Sequence, residues 1–482
     1  MNLILENIFF IAPVLILGIS IILNLLIIII QRNFVLSFLV TIFGLICSLF
    51  FFSYFMRNTI IDAIYFLYFD NTSFYYVILF FCSSVFTCFF SYLWLREKNV
   101  NKEEFNLLLL ISNIGGYLLF LSDDIFTFFI GIELLSLPLL GMMGYFSFRK
   151  YSNLVSTFKY FIISSISSIF LLLGLSFIYL FFGSVNLFIL KSSDFINIPD
   201  NTHLIFLFGI AFLFISFFVK LAVFPFHCWI ADIYSEVPLI VLTYYANAVK
   251  IVLFFVFLKI YMTFSSFHIA FFSSLLECVI FCSIIFGSLL SLFQKNFKKF
   301  LGYSSIVHSG YLMIPLLFFY DENFSQIIEI YLLGYILNST VLFSSIYLIS
   351  CFLDKNKNYS LKNYEGIFWK SPILTFSIII SSFSMIGIPL TIGFLSKFFL
   401  LKILIIRKNI NLIFSLFFGS IISLYYYFNF IKLFFYKNKF KNFENSYVQT
   451  KLFIFCKIFV FLLSLMIIFF GCNLDILNVK VL

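Results

Sequence analysis

The sequence has 482 residues, of which 63% are hydrophobic and only 11% are charged, and its mean hydropathy is +1.12. In a soluble globular domain about half of the residues are apolar and about a quarter are charged, so this composition excludes that class. The formal net charge of +9 would suggest nucleic-acid binding in a soluble protein. In so apolar a chain we interpret it as the charge of loops that face the cytoplasm, and we expect no nucleic-acid partner.

Apolar windows bounded by charged residues, Gly, Pro and Asn predict about 14 transmembrane helices, and therefore an all-α integral membrane protein. The first window lacks the basic flank and the cleavage site of a signal peptide and is predicted to be a retained span. Residues 1–482 are predicted to form a single polytopic membrane domain. The predicted limits are 8–30, 34–56, 71–95, 105–122, 124–148, 157–182, 203–230, 237–261, 267–291, 300–319, 326–352, 371–405, 410–436 and 451–473.

Basic residues are distributed unequally among the loops that join these windows. Loops after odd-numbered spans hold 17 Lys and Arg residues, whereas loops after even-numbered spans hold six. Because cytoplasmic loops carry the excess of basic residues, both termini are predicted to lie on the opposite side of the membrane.

The sequence contains no pattern that predicts a site for a soluble cofactor. The loops are short, and no GxGxxG or P-loop pattern follows a predicted strand. The nine cysteines lie mostly within apolar runs and form no CxxC pair, so neither a zinc site nor an iron–sulfur cluster is expected. We therefore expect the chemistry of this chain to take place inside the membrane.

Several ionisable side chains interrupt the apolar windows. A charge near the bilayer centre costs at least about 2.5–3.5 kcal/mol on insertion scales, so each one requires a reason. Desolvation disfavours a charged lysine and a nearby carboxylate favours it, so such a lysine can exchange a proton when its partner changes. A structural ion pair, a hydrogen-bonded core histidine and a lysine that snorkels to the interface are the alternatives. The candidate proton-transfer residues are Glu133, Lys159, Lys220, His227, Lys250, His308 and Lys397.

The seventh and twelfth windows are longer than one crossing needs, and each contains a proline close to a candidate lysine. Pro225 follows Lys220 by five residues, and Pro389 precedes Lys397 by eight. A proline removes a helix hydrogen bond, and in a membrane the freed backbone must be buried in protein or line a wet cavity. Broken helices beside ionisable groups are typical of transport sites. We therefore predict that the seventh and twelfth helices are discontinuous.

The spacing of the candidate residues suggests an internal repeat. Glu133 precedes Lys220 by 87 residues, and His308 precedes Lys397 by 89. These pairs occupy spans five and seven and spans ten and twelve. Two inverted five-helix repeats would superpose them, and we predict such repeats at 105–262 and 267–436.

Four stretches of the sequence carry distinctive patterns: GIELLSLPLLGMMGY at 131–145, VKLAVFPFHCWIADIY at 219–234, FLGYSSIVHSGYLM at 300–313 and SMIGIPLTIGFLSKF at 384–398. They resemble the antiporter-like subunits of proton-pumping NADH:quinone oxidoreductase, which is respiratory complex I, and the similarity extends over nearly the whole chain. The length, the N-terminus and the segment REKNVNKEEFNLLLLIS at 96–112 most resemble the bacterial subunit N, which is similar to mitochondrial subunit 2. The resemblance implies a 14-helix fold with two inverted five-helix repeats and broken seventh and twelfth helices.

The resemblance also implies a role for individual residues. Glu133 matches the acidic residue that pairs with the lysine of the seventh helix, here Lys220, and alternately raises and lowers its affinity for a proton. Lys250 matches the lysine of the eighth helix, to which the proton would pass. Lys397 matches the lysine of the twelfth helix, from which the proton would leave. The polar positions that connect these residues in the family correspond to His227 and His308.

By the same resemblance, this chain holds no cofactor, and NADH, FMN, iron–sulfur clusters and quinone belong to partner subunits. The expected partners are the other membrane subunits of complex I, including neighbouring antiporter-like subunits, and the lipid bilayer. The expected location is a bacterial inner membrane, with both termini on the periplasmic side. Two alternatives stay open: a subunit of a multisubunit cation/proton antiporter, and a structural membrane subunit that no longer pumps.

The segment SEVPLIVLTYYANAVK, which ends at Lys250, departs from the small-residue and proline-rich pattern of the family. Pro238 is present, but Ile240, Tyr244 and Tyr245 are bulky. We expect one of two effects. The bulk of these side chains narrows a water path near Lys250, or the two tyrosine hydroxyls serve in the proton relay.

Overall fold

The computed structural model describes residues 2–56, 73–96, 101–145, 151–184, 200–265, 270–319, 324–351, 359–436 and 451–473. Regular structure in these residues is helical, apart from isolated bridge residues such as the antiparallel pair Asn296 and Ser360. Within this part of the chain, 13 helices are long and apolar enough to cross a membrane, or up to 14 if a bent pair of helices counts as one span. The predicted all-α membrane fold is confirmed.

The helices are numbered here in chain order through the described residues. Predicted and observed limits agree well for several spans; the second predicted span, 34–56, coincides with its helix. The helices are α1 (Asn2–Ile30), α2 (Phe34–Met56), α3 (Ser73–Arg96), α4 (Glu103–Leu121), α5 (Ile125–Gly144), α6 (Tyr151–Phe182), α7 (Asp200–Leu221), α8 (Cys228–Glu236), α9 (Leu239–Tyr244), α10 (Lys250–Ser265), α11 (Ala270–Leu292), α12 (Phe297–Met313), α13 (Phe324–Ser350), α14 (Pro372–Ile386), α15 (Ile392–Ile406), α16 (Ile410–Phe434) and α17 (Lys451–Cys472). A π-helical turn, Tyr245–Val249, joins α9 to α10.

Serine and threonine hydroxyls inside these helices use the helix's own carbonyl groups as acceptors. The Ser216 hydroxyl donates to the Leu213 carbonyl at 2.7 Å, and the Ser381 hydroxyl donates to the Ser377 carbonyl at 2.9 Å. A hydroxyl in hydrocarbon has no water to bond to, so a carbonyl three or four residues earlier supplies the partner. Polar residues can therefore lie inside membrane-spanning helices without a partner on another helix.

The chain divides into two compact units. The first unit comprises Met1–Leu221 and Tyr244–His268, and the second comprises Ala222–Thr243 and Ile269–Leu482. The chain therefore leaves the first unit at the end of α7 and returns to it at the π-helical turn. The two predicted inverted repeats stay a prediction. The segment that contains α8 lies inside the first predicted repeat by sequence but belongs to the second compact unit.

The predicted discontinuity of the seventh helix is present. Helix α7 ends at Leu221 and α8 begins at Cys228, so the window 203–230 is not one continuous helix. Ala222 has a φ of 54°, in the left-handed region that ends a right-handed helix, and Pro225 follows Phe224 through a cis peptide bond. A non-glycine residue with such a φ is uncommon. The break is therefore built from a left-handed residue together with the proline.

The twelfth helix is broken in a similar way, between α14 and α15. Gly387 has a φ of 93° and Leu390 a φ of 72°, and Pro389 lies between them. The Ile388 N–H donates to the Phe383 carbonyl at 3.0 Å, which is the bond that closes a helix after a left-handed residue. Each half-helix has 15 residues, too few to cross the hydrocarbon alone.

Of the 17 basic residues on which the predicted orientation rests, eight lie outside the described residues, in 97–100, 146–150, 352–358 and 437–450. The location of both termini on the periplasmic side therefore stays a prediction.

Candidate functional site

Lys220 lies buried in the last turn of α7. The break leaves the final carbonyl groups of α7 without helical partners. The Tyr245 hydroxyl donates to the Lys220 carbonyl oxygen at 3.1 Å. The helix dipole also favours a cation at this end of a helix. The break thus gives Lys220 a polar environment that a continuous apolar helix would not provide.

Glu133 lies in the middle of α5, in the same unit as Lys220. It interacts electrostatically with Lys220 and with Tyr160. Its Oε1 atom is buried and has no hydrogen-bond partner among the described residues. A buried carboxylate oxygen without a donor is unfavourable, so it favours a nearby cation or proton.

Close packing of α4 and α5 fixes the position of Glu133. A Cβ atom on Gly115 of α4 would lie 2.6 Å from the backbone at Leu134, so only glycine permits this approach of the two helices. The residue that contacts Gly115 is the direct neighbour of Glu133 in the sequence.

Lys250 is the first residue of α10 and is buried directly after the π-helical turn. The π-helical turn adds a residue to the helical repeat, which redirects the side chains that follow it, and such turns are frequent at functional sites. Lys250 lies in the membrane-spanning segment Leu239–Phe264, and all residues of the 18-residue apolar stretch of this segment that includes Lys250 are buried. Lys250 therefore has no access to the interface by snorkelling.

The bulky tyrosines before Lys250 are engaged in hydrogen bonds within the first unit. The Tyr244 and Ser112 hydroxyls lie 2.7 Å apart, and Tyr245 donates to the carbonyl at the end of α7. The two tyrosine hydroxyls therefore stabilise the contact with α4 and the break at the end of α7.

A second group of ionisable and hydroxyl side chains lies in the second unit. His308 of α12 is buried, and its Nδ1 atom lies 2.7 Å from the Tyr331 hydroxyl of α13. The rings of His308 and Tyr311 have centroids 6.0 Å apart. Sequence reasoning identified His308 but missed both tyrosines, because tyrosine is frequent throughout this chain.

Lys397 belongs to this second group. Its ammonium donates to the Ile386 carbonyl, the last of α14, at 2.7 Å, and lies 5.1 Å from the centroid of the Tyr311 ring. A Cβ atom on Gly387 would lie 2.9 Å from Cδ of Lys397, so the glycine at the break leaves room for the lysine stem. Lys397 thus contacts the end of a broken helix, and Lys220 lies at the end of one.

The remaining two predicted residues lie in different surroundings. His227 is buried at the start of α8 and its ring stacks on Phe224, with centroids 5.6 Å apart. Lys159 is exposed on α6. Glu133 and Lys220 therefore lie in one unit, and His308 and Lys397 lie in the other.

The structure also contains a buried ion pair that sequence reasoning missed. The Lys259 ammonium lies 2.7 Å from the Asp123 carboxylate and donates to the Ser122 carbonyl at 2.6 Å. Lys259 is one of the six basic residues counted above in loops after even-numbered spans, but it lies inside α10, so its assignment to a loop was wrong. The adjacent Asp123 and Asp124 between two apolar windows were the available signal.

Among the described residues, no group of three or more His, Cys, Asp and Glu side chains could hold a metal ion. The carboxylate, imidazole and lysine side chains described above instead lie beside one another, beside tyrosines or at the ends of helices. Such an arrangement can bind and pass protons, since each group can donate or accept one.

Comparison with known proteins identifies the family. The family described as NADH:quinone oxidoreductase/Mrp antiporter, TM, matches residues 122–423, which is more than half of the chain. The chain belongs to this family. The NADH-quinone oxidoreductase subunit N of Buchnera aphidicola subsp. Acyrthosiphon pisum is 37% identical over 423 residues, which are 86% of this chain and 85% of the relative. The resemblance seen in the sequence is confirmed, and the chain is an antiporter-like membrane subunit.

Chains of two solved structures share the fold. Respiratory complex I from Thermus thermophilus with bound Aureothin contains a chain with a TM-score of 0.77 and 21% identity, covering 95% of this chain and 96% of that one. The Mrp complex from a Dietzia species contains a chain with a TM-score of 0.81 and 15% identity, covering 98% and 95%. Both chains thus have the fold found here.

The hydroxyl of Tyr245 is expected to stabilise the break in the seventh helix. Tyr245→Phe should lower the free energy of unfolding by about 1–3 kcal/mol, because it removes a donor from a buried carbonyl group. Tyr425→Phe, at an exposed tyrosine of α16, should change it by less than about 0.5 kcal/mol. Reversible unfolding in mixed micelles measures both values, and equal effects would contradict the role given to Tyr245.

Proposed function

We propose that this chain is subunit N of an NADH-quinone oxidoreductase and that it moves protons across the membrane while quinone is reduced elsewhere in the complex. The observation that carries the proposal is the burial of three lysines in membrane-spanning segments. Lys220, Lys250 and Lys397 are only 8%, 3% and 8% exposed. Lysine in the hydrocarbon region is costly and is found where it has a function.

In the first unit, Glu133 controls the proton on Lys220. When Glu133 is ionised and close, the charged form of Lys220 is favoured; when the carboxylate is neutralised or moves away, Lys220 releases its proton. The proton then passes to Lys250. Lys159, which is exposed on α6, serves as a further relay group in this unit, and His227, which precedes α8, serves as one in the second unit.

In the second unit, His308, Tyr331 and Tyr311 connect to Lys397. The hydrogen bond between His308 and Tyr331 and the position of the Lys397 ammonium over the Tyr311 ring support this step. Imidazole can donate and accept protons near neutral pH, which suits it to a relay. Lys397 then releases the proton towards the far side of the membrane.

The driving energy comes through contacts with partner subunits. We propose that those subunits, and not this chain, hold NADH, FMN, the iron–sulfur clusters and quinone. We also propose a bacterial inner-membrane location with both termini periplasmic. The two inverted five-helix repeats are part of the same proposal, and they are supported by the two similar breaks, each with a proline and a left-handed non-glycine residue.

The proposal is tested in inverted membrane vesicles by measuring proton and sodium uptake driven by NADH. Lys397→Ala is expected to lower proton uptake per assembled complex by about tenfold or more, because a positioned acid–base group is lost. Lys402→Ala, on the same helix and closer to its end, is the matched control and should change little. Sodium uptake that an imposed pH gradient drives in the absence of NADH would favour the cation/proton antiporter. Unchanged proton uptake in Lys397→Ala would favour the structural subunit.

A further inference from the structure

A crevice of about 630 Å³ lies where the start of α4, the end of α5 and the start of α6 meet in the first unit. Its walls include Gly141 and Gly144 of α5 and Phe158 and Phe161 of α6. Both phenylalanines are exposed, so the crevice opens towards lipid. None of the residues assigned above to proton transfer lines it.

The crevice is polar at one end and apolar at the other. Asn101, Glu104 and Tyr145 lie at the ends of their helices, and the apolar wall continues along α6 to Phe161. The lining positions of α6, from Leu154 to Phe161, extend about 10 Å along the helix axis. One leaflet contributes about 15 Å of hydrocarbon. The crevice therefore extends from the membrane surface into a single leaflet.

Opposite charges lie close together at the polar end. Arg32 lies 3.8 Å from Glu104, and both side chains are about half exposed. A headgroup at this position meets a carboxylate and a guanidinium at the same time. A zwitterionic headgroup with a primary ammonium next to a phosphate complements both charges.

We propose that this crevice is a binding site for a phospholipid with an ethanolamine headgroup. One acyl chain lies against Phe158 and Phe161, in the space that Gly144 leaves open. The ammonium donates to Glu104, and the phosphate accepts from Arg32. A choline headgroup has no N–H to donate, and a glycerol headgroup has no cation for Glu104. The site is independent of the proton path.

The test measures lipid bound to the purified full-length chain by native mass spectrometry in an equal mixture of ethanolamine, choline and glycerol phospholipids. The wild-type chain is expected to retain the ethanolamine lipid in preference to the others. Glu104→Gln should reduce this preference by about threefold, because it removes one partly exposed charge contact with the ammonium, and such a contact changes the affinity by about that factor. Gly144→Leu should reduce total lipid bound at the site, since a leucine side chain occupies the space of the acyl chain.

A matched control is available in α1. Gly18 has no atom within 4 Å of a Cβ position, so Gly18→Leu adds the same side chain outside the crevice and should leave lipid retention unchanged. Equal retention of the three lipids by the wild-type chain would overturn the proposal. Unchanged retention by both Glu104→Gln and Gly144→Leu would do the same. Cross-linking of Phe158→Cys to a neighbouring subunit, with no bound lipid in the whole complex, would assign the crevice to a partner helix.

Discussion

Lys220→Ala is expected to lower both proton uptake and quinone reduction by about tenfold or more, in membranes where the complex is still assembled. Lys220 is a buried cation at the end of a broken helix and interacts electrostatically with Glu133. Without its side chain, the proton has no carrier between the carboxylate and Lys250. Assembly should survive, because Glu133 can take up a proton when its cation is removed, and the helix break stays in place.

Two further variants separate a proton carrier from a structural cation. Lys220→Arg keeps the positive charge but does not release a proton, since arginine stays charged in proteins. It should be as inactive as Lys220→Ala. Lys432→Ala, at an exposed lysine near the end of α16, should retain activity. Normal turnover in Lys220→Arg would show that only the charge is needed, and Lys220 would then not carry protons.

Gly393→Ala is expected to prevent stable folding, with a loss of about 4 kcal/mol or more in the free energy of unfolding. A Cβ atom at Gly393 would overlap the Ser384 carbonyl. The N–H of Gly393 also donates to the Ser384 hydroxyl at 3.1 Å. The two halves of the broken twelfth helix therefore touch backbone to backbone, and no side chain fits between them.

The amount of assembled protein in the membrane, measured by native gel electrophoresis, shows the effect of Gly393→Ala. Gly18→Ala is its control, because Gly18 faces open space on α1. A helical glycine-to-alanine change at such a site should be neutral or slightly stabilising. Normal levels of the Gly393→Ala protein would mean that the two half-helices can separate without loss of the fold.

Much of the fold could be predicted from the sequence because a bilayer restricts the possible structures. Every backbone group must be paired inside the membrane, so apolar windows of sufficient length become helices. Pro225 and Pro389 predicted both helix breaks by the same rule. The resemblance to the family, carried by long motifs around Glu133, Lys220, His308 and Lys397, was confirmed by its relatives.

The sequence did not predict which residues contact each other across helices. Lys259 pairs with Asp123 in the connection between α4 and α5, and His308 of α12 bonds to Tyr331 of α13. In a soluble protein the polar face of a helix would show which side is buried. Here lipid and protein interior are both apolar, so hydrophobicity does not distinguish a residue that faces lipid from one that faces another helix.

The sequence by itself determined the class of protein, the number of spans, the two breaks and the family, since these depend on local chain length, proline and motif. Only the tertiary structure decided that Tyr245 donates to the end of α7 and that Lys397 caps α14. It also decided that Ala222–Thr243 joins the second unit. Those features depend on how helices pack, which a uniformly apolar sequence leaves open.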